Sequence, residues 1–394
     1  MDARAARAVP GSKKRGEYRM QLRKLDSSEH SGTRALWEKV FPEDSKAFLD
    51  YYYFIKTRNN QIYVIEEDGA VRSMLQLNPY MLRIGGTQQL CNYIIAVATE
   101  EAYRKRGYMG RLLKASMMDM YKLKQPFTFL MPAAEAIYRP YDFRFVYAQI
   151  QEESCGEPGS MSVSMSDAGL SDAGAMAVFF NAHFAAQYQV CAVRDDQYYQ
   201  TMLFEQQSEN GGIKLLKQDG AIAGMFAYAR EENTLEIREA LYLPGFEAEF
   251  QKAVYQMRAE HGVPAKIYAG RENARSRKVP LIMVRILHLE TLLASMRAKA
   301  GREINCSFAV LDSIITKNSR VWRLKSSGEN PDIQVSETED SEGVLTIDSL
   351  TALLFGYQTI DEISREEGVI LTPRLKQELG KLEPLRPLYL NEIV

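Results

Sequence analysis

Arg104-Lys105-Arg106-Gly107-Tyr108-Met109-Gly110 follows an apolar stretch, residues 92–99, that reads as a strand, and precedes an amphipathic run, residues 111–122, that reads as a helix. Strand, glycine-bearing turn and helix start together make a backbone cradle for phosphate. The first amide N–H groups of a helix have no intrahelical acceptor, the helix dipole favours an anion at that end, and glycine lets the main chain approach closely. The segment predicts a pyrophosphate site.

Upstream of the turn, alternating segments at 61–67, 70–83 and 88–99, separated by Glu-Asp-Gly and Gly-Gly, predict antiparallel hairpins. Helices are expected at 32–40 and 44–54, with Pro42 breaking the run between them. Downstream come a short strand at 127–131, a helical turn at 133–138 ended by Pro140, and a strand at 143–150. Residues 152–167, rich in Gly, Ser and Pro, read as a linker. Beyond it the order repeats: helices at 172–187 and 195–207, strands at 212–217, 221–229 and 235–243, a helix at 246–261 and a strand at 265–268. This points to a distant internal duplication. The second copy has Tyr242-Leu243-Pro244-Gly245-Phe246 at the matching junction, with no basic residue, and is expected to bind no phosphate.

A third region opens with a strand at 284–286 and a helix at 287–300. Strands at 304–311, 318–325, 332–336 and 343–349 follow, then a short helix from Leu350 and an apolar tail, 385–394, expected to be packed. The expected division is a disordered tail or leader at 1–17, then domains at 18–152, 153–282 and 283–394. The fold class is mixed α/β, of the α+β kind.

At 394 residues the chain is too long for one core. A net charge of -2 argues against a nucleic-acid partner. Cys91, Cys155, Cys191 and Cys306 lie far apart, as do His30, His183, His261 and His288, so neither a disulfide framework nor a metal site is indicated. No apolar run approaches the roughly 18 residues that span a bilayer, and the first twenty residues lack the apolar segment of a signal peptide. The expectation is a cytoplasmic protein with no membrane partner.

Ala96-Val97-Ala98-Thr99 followed by Arg104-x-x-Gly107 resembles the acetyl-coenzyme A site of the GNAT acyltransferases, whose signature is Q/R-x-x-G-x-G/A after a strand. Met109 stands where that signature has Gly or Ala, and Gly110 comes one position later. Ala136-Ile137-Tyr138-Arg139-Pro140-Tyr141-Asp142-Phe143 is similar to the Ile-Tyr-x-x-Phe/Tyr-x-Phe/Tyr segment of the Eis (enhanced intracellular survival) type of N-acetyltransferase. That resemblance implies a catalytic GNAT domain, a degenerate second one and a sterol-carrier-protein-like third domain. It also implies a homo-oligomer of up to six subunits.

Carried over residue by residue, the resemblance implies main-chain contacts to the pantetheine arm of acetyl-coenzyme A near Val97 and Thr99. The N–H near Val97 would also steady the oxyanion. Arg104, Lys105, Arg106, Gly107, Tyr108, Gly110 and Arg111 would surround the pyrophosphate. Tyr138 would be the general acid, because a phenol of ordinary pKa about 10 stays protonated at neutral pH. The carboxylate of Val394 would be the base or would steer the amine, with Glu135 as an alternative carboxylate on the substrate side. The acceptor would be a primary amine: aminoglycoside-like, a polyamine or a protein lysine. The alternative reading is a non-catalytic acyl-coenzyme A sensor or lipid carrier.

Overall fold

The structure, a computed structural model, describes residues 20–154, 156–268 and 272–392. The tail at 1–17, Cys155 and Val394 lie outside them. The first half runs β1 (Gln21–Lys24), α1 (Arg34–Val40), α2 (Lys46–Phe54), β2 (Gln61–Glu67), β3 (Ala70–Ile84), β4 (Thr87–Thr99), α3 (Tyr108–Lys122), β5 (Phe127–Leu130), α4 (Glu135–Tyr138) and β6 (Arg144–Ser154). The second half runs β7 (Ser164–Asp167), α5 (Ala173–His183), β8 (Val190–Ala192), α6 (Asp196–Ser208), β9 (Gly212–Gln218), β10 (Ala221–Arg230), β11 (Leu235–Tyr242), α7 (Glu247–His261) and β12 (Ala265–Tyr268).

The two halves share one large sheet ordered β1-β2-β3-β4-β5-β13-β6-β12-β11-β10-β9-β7, where β13 is Arg277–Ile286. That strand straddles the expected boundary at 282/283, yet it sits inside the first half's sheet between β5 and β6. The third region packs α8 (Leu289–Ala294) and α9 (Ile347–Leu354) beside a five-stranded sheet of β14 (Asn305–Leu311), β15 (Val321–Lys325), β16 (Gln334–Glu337), β17 (Gly343–Thr346) and β18 (Ile370–Leu371). One continuous apolar cluster joins it to the large sheet, running from Phe127, Phe129 and Val284 through Leu289 to Phe308, Leu350 and Phe355.

Several local expectations are corrected. The stretch at 152–167 is only partly a linker, since β6 continues to Ser154 and β7 adds an edge strand paired with β9. The helix expected at 287–300 ends at Ala294, after which the chain extends so that Arg297 and Ala298 bridge Asp332 and Leu382. The strand expected from 318 begins at Val321, because Asn318 turns inward and its amide donates to Leu287 O (2.7 Å) and Asp312 Oδ2 (2.9 Å). A buried polar side chain that satisfies two carbonyl-type acceptors holds a turn there in place of a ladder. The apolar tail is packed over its described part: β19 (Leu388–Tyr389) pairs with β8, and Asn391 and Glu392 are buried.

Candidate active site

Strand β4 carries a bulge where it matters. Met74 pairs with Ala98 and Gln76 with Ile95, so Ala96 and Val97 together oppose Leu75, and Ala96 has φ of +51°. An extra residue bends the strand and frees main-chain groups from the ladder. On its other side β4 pairs with β5 only at Asn92 and Tyr93. Beyond that point the two strands part, and the sheet opens beside the bulge. Val97 belongs to the apolar cluster around α3, together with Tyr138, whereas Ala96 belongs to the cluster around α1 and α2. The bulge therefore turns one of its two residues to each face of the sheet.

On the α3 face the turn has the form of an anion cradle. Lys105 has φ of +63° and Gly107 +77°, and Gly107 caps α3. Helix α3 begins at Tyr108, three residues earlier than expected, which puts Tyr108, Met109 and Gly110 in its first turn. Arg111 N–H bonds to Gly107 O (3.1 Å), while no main-chain N–H from Lys105 to Gly110 has a backbone acceptor among the described residues. Such a row of free donors at a helix start suits a pyrophosphate. The side chains currently lie elsewhere: Arg104 Nε donates to Thr99 O (3.3 Å), Arg106 stacks on Tyr103 (4.6 Å), and Arg111 reaches Met20. The Tyr108 hydroxyl donates to Glu67. Gly110 is needed for packing, because a methyl there would overlap the Tyr141 hydroxyl. Thr99 Oγ1 is paired with Ser73 Oγ (2.8 Å).

Tyr138 ends α4 and is buried, edge-on to Phe143 with centroids 5.7 Å apart. Burial pushes its phenol up to about 12, so it is protonated throughout the physiological range. The chain after it is fixed from the third region. Arg285, fully buried on β13, donates to Tyr141 O (3.1 Å) and Asp142 (3.3 Å) and pairs with buried Asp312 at 2.6 Å. Glu135 stands apart from this group, half exposed beside Arg139 (3.9 Å).

Across the opening, on the side of Ile95 and Ala96, lies a cavity of about 460 Å³ between the two halves. It is lined by Glu43, Asp44, Glu205, Glu209, Glu236 and Glu239, with Arg238 the lining cation. A second cavity of about 360 Å³ shares Met202, Glu205 and Asn391 with it. Arg238 is held by Glu209 (2.5 Å) and Glu236 (2.7 Å), and buried Arg194 by both oxygens of Glu239 (2.6 Å each). Two guanidinium groups leave the wall net negative. None of these carboxylates was singled out from sequence, although Tyr198, Met202 and Glu205 recur at helical spacing on α6, with Glu209 just past its end on the same side.

The second half repeats the bulge without the cradle. Met225 pairs with Leu241 and Ala227 with Arg238, so Glu239 and Ala240 oppose Phe226, and Glu239 has φ of +53°. Its following helix, α7, begins with Glu247 and Glu249, and Glu249 accepts from Ser162 N–H (2.7 Å). Carboxylates at that helix start repel an anion.

Residues 21–146 match the acetyltransferase (GNAT) domain family, and residues 289–386 match the sterol carrier protein domain family. The chain is an acetyltransferase of the GNAT fold with a carboxy-terminal sterol carrier protein domain. Its whole fold is shared with a probable N-acyltransferase from Enterococcus faecalis V583, at 18% identity and TM-score 0.79 over 93% of this chain and 98% of that one. A GCN5-related N-acetyltransferase from Anabaena variabilis is similar at 16% identity and TM-score 0.75, covering 92% of this chain and 97% of that one. Eis1 from Mycobacterium abscessus follows at 12% identity and TM-score 0.67, covering 92% and 96%. No curated protein sequence matches the chain. Among the described residues no helix is long and apolar enough to cross a membrane, and no cluster of His, Cys, Asp and Glu is arranged to hold a metal.

Proposed function

We propose that the protein transfers an acetyl group from acetyl-coenzyme A to a primary amine of a small polycation, aminoglycoside-like or polyamine-like, by direct attack in a ternary complex. The observation that carries this reading is the acidic cavity meeting the β4 bulge where β4 and β5 part. A wall of carboxylates with two internal guanidinium partners attracts and orients ammonium groups.

The main-chain N–H groups of residues 105–110 and the side chains of Arg104, Arg106 and Arg111 would hold the diphosphate, with main-chain groups near Val97 and Thr99 along the pantetheine arm. Acetyl-coenzyme A supplies the acyl group as a thioester. The freed N–H near Val97 polarises the carbonyl at the opening of the sheet. Tyr138, on the α3 face, keeps its proton before the reaction and gives it up as sulfur departs.

The test is purified protein with acetyl-coenzyme A and a panel of mono-, di- and polyamines, followed by release of free thiol. Turnover that favours polycations supports the reading. Heat of acetyl-coenzyme A binding with no thiol from any amine would leave the non-catalytic sensor in its place.

A further inference from the structure

We propose that Glu205, contributed by the second half of the chain, accepts the proton of the incoming ammonium; the assignment rests on the amine-acceptor reading above. Among the cavity's carboxylates, Glu209, Glu236 and Glu239 are each neutralised by an arginine, Asp44 accepts from Trp37 Nε1 at 2.6 Å, and Glu43 is exposed to solvent at the rim. Glu205 differs. Among the described residues it has no salt-bridge partner; its Oε2 accepts from Tyr51 hydroxyl (3.1 Å) and its Oε1 from Gln206 Nε2 (3.2 Å). It lines both cavities, and in the larger one it shares the wall with Ile95 and Ala96 at the β4 bulge.

Its surroundings set its proton affinity from every side. Lys56, after α2, lowers it but is itself held on the Tyr80 hydroxyl of β3 (2.7 Å). Arg238 of β11 lowers it, Glu209 on its own helix raises it, and Tyr51 stabilises the anion by its hydrogen bond. Tyr93 of β4, and Glu392 near the carboxy terminus through Lys56 and Tyr80, feel the same field. Burial outweighs the favourable terms and pushes the carboxyl up to about 7. A base near the working pH is best matched to a transfer, and an amine near 10.4 cannot attack until it loses a proton.

The proton balance closes. One proton of the ammonium passes to Glu205 and from there to solvent. As the C–N bond forms and the C–S bond breaks, Tyr138 gives its proton to the departing thiolate and the second proton lost by nitrogen restores the Tyr138 phenol, so one proton in all reaches solvent.

The experiment compares wild type, E205Q and E205D with the best amine of the panel. In wild type kcat/KM rises about tenfold per pH unit to a plateau above about 7. E205Q loses that limb and falls about 100-fold or more at pH 8, with acetyl-coenzyme A affinity unchanged by calorimetry. E205D keeps a limb at reduced rate. A second measurement is independent of turnover: carbon-13 labelling of glutamate carboxyls gives one resonance titrating near 7, absent from E205D. Turnover whose limb survives in E205Q, or glutamate resonances that all titrate in the ordinary carboxylate range, overturns the role of Glu205 alone. No thiol from any amine overturns the acceptor reading and this base with it.

Discussion

Tyr138→Phe separates the acid role from packing, because the ring and its edge contact with Phe143 at 5.7 Å remain. Among the described residues no hydrogen bond holds the hydroxyl, so its loss costs stability less than about 1 kcal/mol. The catalytic effect is larger. General acids contribute about 10²–10⁴-fold, or roughly 2.7–5.4 kcal/mol. The phenol sits at about 12, so giving its proton to a free thiolate of pKa about 8.5 is uphill by roughly 5 kcal/mol. Donation must therefore accompany C–S cleavage in a dry site, which places the expected loss near the lower end, about 100-fold in kcat. The assay is thiol release at saturating amine, with calorimetry showing acetyl-coenzyme A affinity held within about twofold. A variant with kcat within about threefold of wild type would refute the assignment.

Gly107→Val puts a β-branched side chain at φ of +77°, which it cannot adopt without strain, so the cradle opens. Affinity for acetyl-coenzyme A should fall about tenfold or more by calorimetry, and an unchanged value would argue against diphosphate at residues 105–110. Arg285→Met removes the ion-pair partner of buried Asp312, leaving it the N–H donors of Ile315 and Asn318, and should cost about 3–5 kcal/mol of unfolding free energy in urea titration. Adding Asp312→Leu to that variant should recover much of the loss, as removing both charges of a buried pair usually does. Residues appended after Val394 should lower kcat/KM about tenfold or more with little change in melting temperature, since Asn391 already lines both cavities and accepts from Gln149 (2.7 Å). Full activity in a tagged chain would remove the carboxy terminus from the site.

The periodic elements of both halves were readable because each has one apolar face and a turn signal at its end. Leu112, Leu113, Met117 and Met120 make the buried side of α3, and Gly107 marks its start. What escaped was set by tertiary context. Strand β8 is three residues long and owes its place to β3 and β19, which lie far away in sequence. Strand β13 reads as the opening of a new region, but its final residues Ile282 to Ile286 are buried and pair with β5 and β6. Among the candidate site residues, those of the cradle and Tyr138 come from contiguous motifs. The acidic cavity was not legible, because Asp44, Glu205 and Glu239 come from three separate elements and each looks like a solvated carboxylate until the halves close on one another.

The repeated bulge explains how a duplicated fold divides its labour. Both halves place two residues opposite one, with the first in a left-handed conformation, Ala96 in β4 and Glu239 in β11. In the first half the residue is small, the following turn is basic and the helix start is free, the arrangement the proposed diphosphate site needs. In the second half the residue is a carboxylate locked on buried Arg194, and the helix start is acidic. The same backbone device is thereby closed to anions. Because Ala96 and Glu239 line one cavity, the half without the free helix start builds, together with Glu205, the wall of the cavity proposed for the acceptor. Left-handed backbone at a bulky residue costs of order 1–3 kcal/mol and persists only where the surroundings over-determine it. At Glu239 the two short bonds to Arg194 are that restraint, which ties the strain in the second half to the shape of the site it completes.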